Sequence, residues 1–143
     1  MTAAKMSVAE LEAFLHAEFP QAFTLDGDIK IEQADGESCR LRQRFHHRML
    51  RPGGTVSGPT LMALADFAMY VVLLSAIGPV GLAVTTNLNI NFLRKGAAGE
   101  DVLAVAKLLK LGKRLAVGEV TLLSGDSVDP IAHVTATYSI PNT

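Results

Sequence analysis

Apolar positions along this chain change their period twice. Ser7 to His16 places Leu11, Phe14 and Leu15 at helical spacing, with Ser7 and Glu10 set as the two halves of a capping box. A short amphipathic helix is predicted there, closed by Pro20. From 22 to 33 the period falls to two: Ile29 and Ile31 alternate with Lys30 and Glu32 after Asp26-Gly27, a hairpin-turn signal. From 37 to 47, Cys39, Leu41, Gln43 and Phe45 alternate with Arg40, Arg42, Arg44 and His46. The arginine row is either an anion-binding face or, the simpler expectation, a solvated face paired with acids on the next strand.

Residues 48–58 are a Gly/Pro-rich connection. From about Pro59 to Ile77 polar residues almost vanish, and a single long helix is predicted, opened by Pro59 and stopped by Gly78-Pro79. Period two then returns: Leu88, Ile90 and Phe92 alternate with Asn87, Asn89 and Asn91, and 101–111, 114–124 and 131–140 read as further strands. Turns at 96–99, 111–113 and 125–130 separate them. Such short turns imply antiparallel pairing. The pattern predicts an α+β layer: a curved antiparallel sheet of five or six strands, curled round a helix that is apolar on nearly every side.

Length fits this as a single domain over 1–143. With 49% apolar and 19% charged residues the chain can bury a core. A formal net charge of −1 gives no case for nucleic acid or an anionic membrane as partner. The single cysteine, Cys39, excludes an internal disulfide framework and fits a reducing compartment. The N-terminus has no apolar run of signal-peptide length, so a cytoplasmic location is expected. Residues 59–82 approach the length of a membrane span. Asp66 in their middle would cost roughly 2.5–3.5 kcal/mol there, which favours a helix buried by its own protein.

Sequence motifs leave little room for metal or phosphate chemistry. His46 and His47 are adjacent and would point apart on a strand, no HExxH or CxxC occurs, and no metal is expected. Gly53-Gly54 lacks the Lys-Ser/Thr of a phosphate loop. Asp66 is the anomaly. A carboxylate flanked by LMALA and FAMYVV either bonds to its neighbours or serves as a base at the edge of an apolar pocket, where a shortage of donors would make it hold a proton more tightly. Ser57-Gly58-Pro59-Thr60 opens the same helix, and its free amides form either an ordinary cap or a cradle for a developing oxyanion. Gly58 and Asp66 lie about 12 Å apart along one helix, too far for one small reacting group. A shared site needs the helix start of one chain and the helix middle of another, which an antiparallel two-fold pair supplies twice.

The stretch RPGGTVSGPTLMALADFAMYVVLLSAIG, followed by AVTTNLNINFLRK and LGKRLAVGEV, resembles the hotdog-fold acyl-CoA thioesterases of the phenylacetate-pathway (PaaI-like) type. The likeness covers about residues 40–140. Gly54, Gly58 and Asp66 match the family motif, whereas Arg51 stands for its Asn, Ser57 for its His and Pro59 for its second Gly. The resemblance implies a homodimer or homotetramer that hydrolyses an acyl-CoA thioester to a carboxylic acid and CoA. It implies that the Gly58 N–H binds the thioester carbonyl. Asp66 of the other chain would act on water as general base or on the carbonyl as nucleophile, with Thr85 positioning the water. Ser57 could hydrogen-bond near the carbonyl, and Arg51 would bring a cation that restrains Asp66 or binds an acidic acyl group or phosphate. Arg94, Lys95, Lys110, Lys113 and Arg114 are candidates for the nucleotide end of CoA, and Leu61, Met62 and Ala65 for the acyl pocket. No cofactor beyond the CoA of the substrate is implied. Hydration of an acyl thioester on the same scaffold would want a His near the helix start, which is absent. A non-catalytic binder of acyl thioesters or fatty acids is the alternative from another class.

Overall fold

Ser7 caps the first helix as its spacing from Glu10 implies: the Glu10 amide donates to Ser7 Oγ, and the Ser7 amide donates to Glu10 Oε1. Helix α1, Val8–Glu18, runs two residues further than expected and buries Leu11 and Leu15. The computed structural model describes residues 4–142. Residues 1–3 and 143, which the single-domain expectation included, lie outside the described residues.

Asp26-Gly27 does not join two strands. The segment before Ile29 is a run of turns tied by the Leu25 amide to His16 Nδ1. The first hairpin joins β1, Ile29–Ala34, to β2, Ser38–Gln43, at Asp35-Gly36, where Gly36 takes φ 88° and Asp35 Oδ1 accepts the amides of Glu37 and Ser38. The arginine row is the paired, solvated face: Arg40 and Arg42 each reach one oxygen of Glu32 at 2.8 Å, and Arg42 also reaches Asp101. The row stops at Gln43. His47 opens a 3-10 turn, His47–Met49, rather than continuing a strand. Connection 48–58 contains a small hairpin of β3, Leu50–Arg51, and β4, Thr55–Val56, turned by Gly53 and Gly54 at positive φ.

Helix α2, Gly58–Ile77, follows, then β5, Val84–Phe92, β6, Val102–Leu111, β7, Leu115–Ser124, and β8, Pro130–Ser139. The main sheet is antiparallel and six-stranded, in the order β1-β2-β6-β7-β8-β5, and it wraps α2. Its inner face is rich in small residues under the helix, among them Ala104, Ala106, Ala116, Ala132 and Ala136, all buried. Gly118 makes room for Met69: a β-carbon there would stand 2.5 Å from the Met69 sulfur. Small residues on the sheet thus let a helix of bulky residues sit close.

Burial along α2 is uneven. From Phe67 to Ala76 every residue is buried, and the helix, though long and apolar enough to cross a membrane by length and composition, is the core of the protein. The N-terminal half is not apolar on nearly every side in effect, because Pro59, Met62 and Ala63 form an exposed stripe that leads to half-buried Asp66. Beside that stripe runs β5, an edge strand of the sheet, where seven of the nine residues are exposed. One hydrophobic cluster joins α1, α2 and the sheet.

Candidate active site

Asp66 projects from the middle of α2 toward the start of β5 and the end of β8. Thr85 Oγ1 donates to Asp66 Oδ1 at 2.6 Å, and Tyr138 Oη lies 2.8 Å from the same oxygen and 3.0 Å from the Asp66 carbonyl. The expected shortage of donors is therefore corrected: two hydroxyls converge on Oδ1. Oδ2 accepts no hydrogen bond from the described residues.

A break in the pleat brings these hydroxyls together. By strict alternation Thr85 belongs with Asn87, Asn89 and Asn91 on the outer face. A bulge between Thr85 and Asn87 shifts the register, so that Thr85 stands opposite Tyr138 while Asn87 stands opposite Thr137. Thr85 and Tyr138 then share one face. Burial, with the Asp66 charge as a smaller cause, holds the Tyr138 hydroxyl well above the usual tyrosine range, so it stays a donor. Tyr138 stacks on Tyr70 at 6.1 Å, and Tyr70 donates to the Gly81 carbonyl.

These groups border a cavity of about 850 Å³ whose lining includes Ala63, Asp66, Phe67, Tyr70, Thr85 and Tyr138. Phe14 and Phe19, from α1 and its C-cap, close its far side. The wall is largely aromatic: Phe19 packs on Phe67 and Tyr70, and Phe23 stacks on Phe67 from behind. Such a space suits an apolar group with a polar centre at Asp66. Of the residues expected to line it, Leu61 and Ala65 are buried in the core and Met62 is exposed on the helix flank; Ala63 and Phe67 take their place. Tyr138 and the α1 aromatics were missed. Tyr138 is an inward position on a regular strand, with nothing local to mark it apart from core.

Gly58 is not part of that cavity. It is the first residue of α2, and its amide is among those no helical carbonyl reaches. Ser57 is the cap: its Oγ accepts the Thr60 amide and lies 2.8 Å from Thr60 Oγ1. A β-carbon at Gly58 would stand 3.1 Å from Phe92 Cζ, so close packing also selects glycine there. Gly54 turns the β3–β4 hairpin with its amide on the Arg51 carbonyl, and Arg51 is exposed.

The basic candidates form two groups. Arg94 and Lys95 follow β5, with Arg94 donating to the Pro130 carbonyl at 2.8 Å. Lys110, Lys113 and Arg114 surround the β6–β7 turn, at the other end of the sheet, where Val84 and Leu115 both pair with Ser139. At about 3.3 Å per strand residue, β5 separates the groups within one chain by some 30 Å. Among the described residues, no three His, Cys, Asp or Glu gather where a metal could sit.

Comparison with known proteins bears on this arrangement. The family description "Thioesterase superfamily" matches residues 53–131, which hold Gly58, Asp66 and Thr85. A solved structure from Silicibacter sp. TM1040, bearing a provisional thioesterase name, superposes with a TM-score of 0.89 at 42% identity, covering 99% of this chain and 96% of that one. A mutant form of the phenylacetic acid degradation protein PaaI from Thermus thermophilus superposes with a TM-score of 0.69 at 25% identity, covering 90% and 99%. A Saccharolobus solfataricus protein with a provisional esterase name is 29% identical over 123 residues, 85% of this chain and 78% of its own length.

Proposed function

Because the chain belongs to the thioesterase superfamily and has the PaaI-like hotdog fold, we propose that it is a thioester hydrolase that cleaves an acyl-CoA to a carboxylic acid and CoA in a composite site between two chains. The observation that carries this reading is Asp66 at the border of an aromatic cavity, with Oδ1 occupied and Oδ2 open.

Oδ2 of Asp66 takes a proton from water, and the water oxygen attacks the thioester carbon. The carbonyl oxygen becomes an oxyanion held by the Gly58 N–H of the facing chain, at a helix start whose partial positive charge favours it. The C–S bond then breaks, the proton passes from Asp66 to the leaving thiolate, and the acid departs. Thr85 keeps Asp66 oriented. A direct attack by Asp66 on the carbonyl is the variant route.

The placement of β5 along the helix supports the composite site. Phe92, at the end of β5, touches Gly58, and Thr85, near its start, touches Asp66. Antiparallel pairing of two β5 edges therefore brings each chain's Asp66 toward the other's Gly58. The same operation carries Arg94 and Lys95 of one chain toward the end of the sheet that holds the partner copy's Lys110, Lys113 and Arg114, a basic cluster suited to the phosphates of CoA. A homodimer, or a dimer of such dimers, working in the cytoplasm without membrane or nucleic-acid partners is part of the proposal. Arg51, Ser57 and Pro59 in place of the family's Asn, His and Gly favour the second reading, a binder without turnover.

Release of thiol from a panel of acyl-CoAs, with Asp66→Asn run beside the wild type, tests this. Turnover by the wild type and a fall of about 10²- to 10⁴-fold in the variant are expected. Equal rates refute the role of Asp66, and tight binding with no hydrolysis of any acyl-CoA selects the binder.

A further inference from the structure

Of the two hydroxyls on Asp66, the mechanism above leaves one unused. Tyr138 is only 4% exposed, comes from the strand beside β5 and reaches Asp66 with its hydroxyl. We propose that Tyr138 is a positioning residue for hydrolysis, fixing the Asp66 carboxylate so that Oδ1 is engaged and Oδ2 is the oxygen left for water. The inference rests on Asp66 being the base.

Three observations carry it. Tyr138 Oη and Thr85 Oγ1 both lie within 2.8 Å of Oδ1, from two paired strands, so the carboxylate is gripped by two donors. The tyrosine has a single proton and two acceptors on the same residue, Oδ1 and the carbonyl oxygen, so it ties the Asp66 side chain to its own helix backbone. The ring is itself held by its stack on Tyr70, whose hydroxyl is anchored on Gly81. A base held this way loses little orientational freedom when water binds, and a donor on the charged form favours that form.

The test compares Tyr138→Phe with the wild type and with Asp66→Asn, measuring kcat and KM against pH on the acyl-CoA that the wild type hydrolyses best. Phe keeps the ring and its stack, and thermal denaturation reports the fold. A fall in kcat of about ten- to a hundredfold is expected, the scale of one hydrogen bond to a charged group. KM should stay within about threefold, because the lost interaction acts on the reaction rather than on binding. The acid limb of the rate profile should move to higher pH, since a group that favoured the charged carboxylate is gone. The chain has two tyrosines, so 3-fluorotyrosine incorporated into a Tyr70→Phe background labels position 138 alone. There the stronger donor should move the limb to lower pH. An unmoved acid limb in either protein overturns the proposal, whatever happens to kcat, and if Tyr138→Phe does not fold the fluorinated chain decides. If Asp66→Asn is dead while the limb stays put, Asp66 remains the base and only the positioning role fails. An active Asp66→Asn overturns both.

Discussion

The Phe92 ring packs against Gly58, its Cζ 3.1 Å from where a β-carbon would stand, while near the other end of the same strand Thr85 hydrogen-bonds Asp66. Strand β5 is thus a ruler laid along α2, with one half of the candidate site at each end. It is also one of the two edge strands of the sheet. A free edge carries unpaired backbone groups that a second copy can satisfy. This geometry, more than either residue alone, is what supports the proposal of a site shared by two chains.

Mixing two inactive variants should restore activity. Asp66→Asn removes the proposed base and Gly58→Pro the proposed amide donor. In a mixed dimer one site carries both lesions and the other neither. Unfolding and refolding the two variants together at equal amounts should recover about a quarter of wild-type turnover by random pairing. Thiol release before and after mixing is the measurement. No recovery, with mixed dimers demonstrated by mass, would overturn the composite site, since one helix holds the two groups too far apart to share a substrate carbonyl.

Gly118→Ala should destabilise the protein by about 1–3 kcal/mol, the usual range for overpacking a tight core. The new methyl would meet the Met69 sulfur at 2.5 Å and the Lys107 carbonyl at 2.9 Å, and the backbone contact cannot swing away. Urea denaturation checks it. Met69→Ala opens a cavity of its own, so the double variant should lose less than the sum of the two single losses, because the truncation removes one of the two clashes.

Glu32 links stability to acid pH. Its hydrogen bond from Arg42, with a smaller contribution from Arg40, holds the carboxyl below the usual range. A carboxyl lowered on folding stabilises the native state above its unfolded value of about 4.5, and that contribution is lost as pH falls through the lowered value. The pairs are about one-third exposed, so solvent screens them. Glu32→Gln should cost about 0.5–1 kcal/mol at pH 7 and less in high salt. Melting temperatures of the two proteins should draw together as pH falls below 4.5 and through the lowered value.

Cys39 should resist alkylation in the native protein. Burial pushes its thiol from 9.0 up to about 12, and its Sγ donates to the Ala68 carbonyl. Little thiolate forms at neutral pH, and the residue is 1% exposed. Iodoacetamide labelling followed by mass should track global unfolding. As pH rises above 9.0 toward 12 the unfolded thiol ionises first, so this site lowers stability there.

Most of the element order was legible because period carries it. The capping box at Ser7 and Glu10, the long run closed by Gly78, and the alternation of 101–111 against 114–124 depend on neighbours within a few residues. Asp26-Gly27 misled because a turn dipeptide marks a turn, not what flanks it, and the residues before it carry no alternating run. The β3–β4 hairpin was hidden because two-residue strands have no period to read.

The sequence by itself determined that this chain is α+β, that its apolar helix carries one unexplained acid, and that the acid and the helix start are too far apart to serve one small group in one chain. Those conclusions follow from local spacing and from fixed helix dimensions. Only the tertiary structure decided what surrounds the acid. One bulge in β5 reverses the facing of Thr85, and strand pairing sets Tyr138 opposite it, 72 residues along the chain from Asp66. Alternation read along a strand assumes an unbroken ladder, and partners that distant in sequence are chosen by the packing of the whole sheet around its helix.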